Sequence, residues 1–189
     1  MEVYKNLKSI PNFLYHGTTS DCIEPLIEGI VIERSRRQTD FGEGFYLTAN
    51  IDQAAKWALF KKDINPKESV LGSVLRYEVD KEKLEGLNSR FFENPTVDWS
   101  NFIYVNRALI DDLENNIDEK YDVVYGPIGD GFKITKKIRE RKRGKQKFDP
   151  TDFNKEIISI KYLFPENHQF SFHSKRAVEA LVPKGVELV

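Results

Sequence analysis

The segment Asp40-Phe41-Gly42-Glu43-Gly44-Phe45-Tyr46-Leu47-Thr48 constrains this chain more than any other, and it gains meaning beside Tyr15-His16-Gly17-Thr18-Thr19 upstream. Phe13-Leu14-Tyr15 is apolar and aromatic and lies between Pro11 and Gly17, which predicts a short strand with His16 and Gly17 at its end. Gly17 lets a flat group approach the backbone N–H and C=O directly. Thr18 and Thr19 add hydroxyls, and Ser20 or Asp21 can cap the helix that follows. A Gly-x-Gly turn then leads into a second strand, Phe45 to Ala49, where Tyr46 offers a ring for stacking and a phenol tip as one polar anchor.

Each residue also has a plainer reading. A histidine before a Gly-Thr turn is commonly structural, and a tyrosine in an alternating strand is commonly core. Gly42 and Gly44 suffice to make a hairpin turn. Asp40 reads better as a turn residue bonding its own backbone than as a catalytic group. Glu43 sits at the variable position of the turn, and His173 reads as a strand-end residue.

Four motifs taken together, His-Gly-Thr at 16–18, the 40–48 segment, Val-Tyr-Gly-Pro-Ile at 124–128 and Gln-Phe-Ser-Phe at 169–172, resemble the ADP-ribosyltransferase superfamily. The likeness is to the branch marked by histidine, tyrosine and then glutamate or a substitute, which holds diphtheria toxin and the poly(ADP-ribose) polymerases. Within it the chain is most similar to a bacterial family of unknown function carrying these four motifs, over roughly residues 13 to 181. The resemblance implies an α+β fold with a split mixed/antiparallel β-sheet core and flanking helices. It also implies NAD as co-substrate and mono-ADP-ribosyl transfer to a macromolecule, with NAD hydrolysis as a side or main reaction. On this reading His16 bonds a hydroxyl of the adenosine ribose, Gly17 pairs its backbone with the nicotinamide carboxamide, and Tyr46 stacks on the nicotinamide ring. Thr18, Gly44 and Phe45 line the dinucleotide, and Arg37, with Arg34 and Arg36, meets the pyrophosphate; solvated loop charge is the plainer reading of these arginines. Gln169 takes the third position, where most members carry glutamate. A glutamine can bond a ribose hydroxyl but cannot act as general base or balance positive charge. The resemblance further implies a cytoplasmic, toxin-type bacterial effector with a small cognate antitoxin as partner.

Two alternatives stay open. A non-catalytic NAD-binding or interaction module fits the missing carboxylate at Gln169. A nuclease-like toxin that ignores NAD would use His16 and His173 as an acid/base pair.

Composition narrows the field. The chain has 189 residues, enough for one domain with its own core, read as residues 1–189 with the core over about 12–189 and a charged helical insertion at about 130–165. The net charge of −1 implies no global attraction to nucleic acid. Cys22 is the single cysteine, which excludes an intrachain disulfide and suits a reducing compartment. Three histidines and one cysteine without clustering argue against a metal site. No signal peptide or membrane span is expected. Charge is nonetheless uneven: nine of the residues from Lys133 to Lys147 are Lys or Arg, against one glutamate. A solvated helix face explains this; steering of an anionic target would use it.

Punctuation predicts the elements: a helix at 20–28 ended by Gly29, a helix from Asn50 to about Lys62 with Asn50 and Gln53 as a capping-box-like start, and a strand at 69–79. Ile51, Ala54, Ala55, Ala58 and Leu59 form the inward face of the second helix. Further helices are expected at 100–117, with Phe102, Val105, Leu109, Ile110 and Leu113 inward, and at 132–143, 151–161 and 174–181. Strands are expected at 122–125, stopped by Gly126-Pro127, and near 168–173 and 185–189.

Overall fold

The computed structural model describes residues 2–32, 39–67, 69–108, 120–129, 131–143, 149–158 and 167–189. Two mostly antiparallel sheets and six α-helices make up the described architecture, an α+β arrangement. The first sheet has the order β1 (Phe13–Thr19), β3 (Gly72–Val79), β7 (Leu181–Leu188). The second runs β2 (Phe45–Leu47), β6 (His168–Phe172), β5 (Val123–Pro127), β4 (Ser89–Phe91), with only β4 and β5 parallel. Among the described residues the sheets meet edge to edge through one bridge, where Tyr15 and Thr48 exchange N–H···O bonds of 2.8 and 2.9 Å.

Alternation along each strand sorts side chains between distinct cores. Leu14, Leu75 and Tyr77 of the first sheet join Phe45, Leu47, Tyr125, Phe170 and Phe172 of the second in the central cluster. On the other face of the second sheet, Val124 and Tyr46 pack with Phe41 and with Trp99, Phe102 and Ile103 of α3 (Val97–Ala108). Ile138 of α4 (Gly131–Arg143) and Phe153 of α5 (Pro150–Ile158) complete that cluster. The other face of the first sheet is covered by Ala54 and Ala58 of α2 (Ile51–Asp63), against Val74 and Tyr15. Both faces of β3 are therefore buried, which is why its sequence alternates only loosely.

Helix α1 (Ile23–Glu28) follows a 3-10 turn at Ser20–Cys22 and ends at Gly29, as expected, but neither Ser20 nor Asp21 caps it: Ser20 Oγ accepts from the Leu71 N–H at 3.1 Å and Asp21 from the Thr19 hydroxyl at 2.7 Å. The Asn50 side chain caps α2 by accepting from the N–H groups of Asp52 and Gln53. The expected reciprocal bond from Gln53 is replaced: its Nε2 donates to the His168 carbonyl at 2.9 Å and ties α2 to β6. Of the expected inward face of α2 only Ala54 and Ala58 are buried; Ile51 and Leu59 are exposed. Helix α3 buries Phe102 and Val105 as expected, while Leu109, Ile110 and Leu113 lie outside the described residues.

Several boundaries differ from expectation, the first being that β1 does not end at His16 and Gly17 but runs to Thr19, held by its ladder with β3. Strand β5 runs on through Gly126 and Pro127, because proline at the last strand position forfeits no inner ladder bond. The last helix, α6 (Lys175–Val178), is one turn long, and the chain enters β7 at Leu181 instead. Val182 precedes Pro183, a position biased to extended backbone, and Pro183 sits in an edge strand at a register shift opposite Tyr77. No described helix is long and apolar enough to cross a membrane.

Candidate functional site

The ladder between β1 and β2 stops one step after it starts. Continued antiparallel from Tyr15–Thr48, it would set Gly17 opposite Tyr46. Both carbonyls are taken by side chains instead. The Tyr46 carbonyl accepts from His16 Nδ1 at 2.7 Å, and the Gly17 carbonyl accepts from Lys61 Nζ at 2.9 Å. Residues two apart on a strand share an edge, so the N–H groups of Gly17 and Tyr46 both face this split. Two N–H donors line it beside two carbonyls that already hold His16 and Lys61, so a planar amide would meet the donors first and reach the Gly17 carbonyl by displacing Lys61.

The His16 ring is the wedge in the split, half-buried and stacked on Phe45 with centroids 4.4 Å apart. Burial, with the Lys61 charge second, pushes its pKa down to about 3 against the opposing bond to Tyr46. The ring is neutral at pH 7. Because Nδ1 must donate to a carbonyl, Nε2 is left as an acceptor for a hydroxyl. Gly17 must be glycine for a packing reason. A Cβ there would lie 2.1 Å from the Ala54 carbonyl oxygen, so β1 and α2 touch backbone to backbone. Thr18 is buried beside it.

Tyr46 projects to the opposite face of β2 from Phe45 and Leu47. Its phenol oxygen lies 2.8 Å from the Gly42 carbonyl and 2.8 Å from the Thr39 hydroxyl, and accepts from the Phe41 N–H at 3.0 Å. Thr39 also donates to the Gly42 carbonyl. Tyr46 thus pins the 39–42 turn, in which Gly42 adopts a φ of 91° that favours glycine. Burial raises its pKa to about 12, so it serves as a neutral hydrogen-bonding hub. Gly44 packs β2 onto β6: a Cβ would meet Ser171 Oγ at 2.5 Å and the His173 ring at 2.7 Å.

Asp40 departs from the turn role expected of it. Its carboxylate is 4% exposed and bonds three distant segments. Oδ1 accepts from Arg107 Nε at 2.8 Å, with Arg107 Nη2 at 2.7 Å; Oδ2 accepts from the Gly129 N–H and from Gln169 Nε2, each at 2.8 Å. Arg107 Nη1 in turn donates to Thr135 Oγ1 of α4 at 2.9 Å. Gln169 and Tyr46 therefore hang on one short segment, residues 39–42. His16 joins them through the Tyr46 carbonyl, so the three expected catalytic residues converge on β1, β2 and β6. Their side chains do not share one face.

Arg37 lies outside the described residues, as do Arg34 and Arg36. His173 is fully buried, with Nδ1 donating to the Glu43 carbonyl at 2.7 Å and its pKa lowered by burial to about 4. It has no surface from which to act on a substrate alongside His16. Among the described residues no group of three His, Cys, Asp or Glu side chains could hold a metal ion.

Arg107 and one aromatic face were not foreseen from the sequence. Arg107 is the partner of Asp40 in the buried pair just described. On α2, Trp57 and Phe60 are 53% and 49% exposed and stack on each other with centroids 5.2 Å apart. Lys61 lies over the Trp57 ring at 6.0 Å while its amine caps the Gly17 carbonyl, so this aromatic face borders the split. Two aromatics three residues apart on the polar face of a helix are a signal that could have found it. A separate cavity of about 320 Å³, lined by Tyr4, Asn50, Tyr125, His168 and Phe170 among others, includes none of His16, Gly17, Tyr46 or Gln169.

The chain belongs to a family described as protein of unknown function (DUF3990), which it matches over residues 13–182. No curated protein and no solved structure matches it.

Proposed function

We propose that this chain has the ADP-ribosyltransferase fold and transfers a single ADP-ribose from NAD to a macromolecular target. The observation that carries the reading is the interrupted β1–β2 ladder, with its paired N–H groups and a neutral His16 as wedge. NAD supplies the chemistry: the bond from ribose C1′ to nicotinamide breaks, its electron pair leaves with nicotinamide, and positive charge develops on the sugar. Gly17 offers its N–H, and its carbonyl once Lys61 swings aside, to the carboxamide. His16 Nε2 accepts a ribose hydroxyl of the adenosine half. Tyr46 fixes the turn that holds Gln169 and takes the stacking role the resemblance gives it, with Trp57 as a second aromatic face at the mouth. Gln169 bonds the hydroxyl beside the reacting carbon. The acceptor bonds C1′ and releases its proton; water in that place gives hydrolysis. The toxin-type setting and a small antitoxin partner belong to the same proposal and rest on the resemblance alone.

The test is nicotinamide release from NAD by the purified chain, with and without cell lysate. His16→Ala and Gln169→Ala should each lower release by about tenfold or more while the proteins stay folded, in line with single-group contributions to catalysis. No release from the parent, with NAD binding that Tyr46→Ala abolishes, would leave a nucleotide-binding module instead.

A further inference from the structure

We propose that Asp40 is a positioning residue that locks the Gln169 amide with its carbonyl oxygen turned to the substrate; this rests on the NAD reading above. An ionised carboxylate only accepts hydrogen bonds, so the group it meets at 2.8 Å must be the amide NH2 of Gln169. That fixes which end of the amide remains for a ligand: Oε1, an acceptor, on a side chain that is half-buried. The lock is itself held. Oδ2 also takes the Gly129 N–H, Oδ1 is occupied by Arg107, and Arg107 is braced on Thr135. Asp40 cannot rotate without breaking a buried ion pair, and Arg107 and Asp40 are only 10% and 4% exposed along their side chains.

The chemistry has an uncommon consequence. A glutamate at position 169 would not simply supply the carboxylate this chain lacks. It would set two carboxylates at hydrogen-bond distance, so that one must hold a proton or move away. The substitution Asp40→Asn reverses the logic. With the oxygen of the new amide facing Arg107 as acceptor, its NH2 faces residue 169, and the Gly129 N–H loses its acceptor in every variant that carries the change. That NH2 repels the amide NH2 of Gln169 and welcomes a glutamate in its place.

The experiment compares the parent with Gln169→Glu, Asp40→Asn and the double variant. Steady-state nicotinamide release from NAD at pH 8 gives kcat and KM, and urea unfolding is followed at pH 5 and pH 8 without NAD. Each single variant should lose about tenfold or more in kcat with KM within about threefold, the pattern of an interaction made chiefly in the transition state. The double variant should recover part of that loss and exceed both singles, the Gly129 N–H being left without its acceptor in it as in Asp40→Asn. In the unfolding arm, Gln169→Glu should be less stable at pH 8 than at pH 5 relative to the parent. Its shared proton raises the folded-state pKa, so stability is lost as pH rises, and the double variant should not show this. A Gln169→Glu protein that matches or exceeds the parent at pH 8, or a double variant no better than either single, overturns the lock. A parent that releases no nicotinamide overturns the NAD reading and the positioning role with it, and the unfolding arm then decides the Asp40–Gln169 contact alone.

Discussion

His16 and His173 are held neutral for one reason: burial disfavours the imidazolium more strongly than the carbonyls of Tyr46 and Glu43 favour it. Each folded-state pKa, about 3 and about 4, lies below the unfolded value of 6.5. The unfolded chain therefore binds more protons between pH 6.5 and 4, and stability must fall as pH falls through that window. Urea unfolding from pH 7 to pH 4.5 should show a loss with a slope approaching about 1.4 kcal/mol per pH unit for each imidazole. His173→Gln should cut it by about half, His16 carrying the rest; an unchanged slope would contradict the burial argument. Asp21 and Asp149, both lowered from 3.8 by hydrogen bonds, act only below that window. At this scale the sequence was half legible. The Gly-Phe-Tyr string marks the start of β2 by its own chemistry, whereas β1 runs on through Tyr-His-Gly to Thr19 because pairing with β3 carries it. Asp40, Arg107, Gly129 and Gln169 are far apart in sequence and lie on different elements, and no local pattern announces a network that only the fold assembles.

Helix α2 carries two jobs on two faces. Ala54 and Ala58 let the β1 backbone approach, while Trp57, Phe60 and Lys61 look outward beside Gly17. Trp57 contributes little to the core, so Trp57→Ala should shift Tm by no more than about 2 °C, as surface changes commonly do. It should weaken NAD binding by about fivefold or more through lost stacking area. A drop in Tm with unchanged NAD affinity would return Trp57 to a structural role. Element boundaries were legible where a cap or a breaker is local, as at Asn50 and Gly29. They were illegible where tertiary pairing decides: Leu181 and Val182 suit a helix end or a strand, and pairing with Val79 and Glu78 selects the strand. In α4, Lys137 and Arg141 fold onto Glu156 of α5 at 3.4 and 3.1 Å, so part of the basic segment serves helix packing. Lys136, Arg139 and Arg143 stay exposed, where an anionic target can reach them.

The molecule is organised around a seam. Two sheets share a central core, yet their edges are stitched by one bridge among the described residues before His16 and Lys61 part them. A continuous sheet would satisfy those backbone groups with one another; here they face a gap, which is what a ligand of matching polarity needs. The α+β class followed from the irregular succession of strands and helices, and the structure has it. The split could not be read from composition or spacing, because it depends on which strand edges stop pairing. The most direct test of the account is a crystal structure with a carbocyclic NAD analogue, whose sugar cannot release nicotinamide. The account predicts the carboxamide bonded to the Gly17 backbone, the Lys61 amine displaced and a ribose hydroxyl on His16 Nε2. An analogue bound in the cavity beside Tyr4 and Tyr125, or one that fails to bind at all, would contradict it.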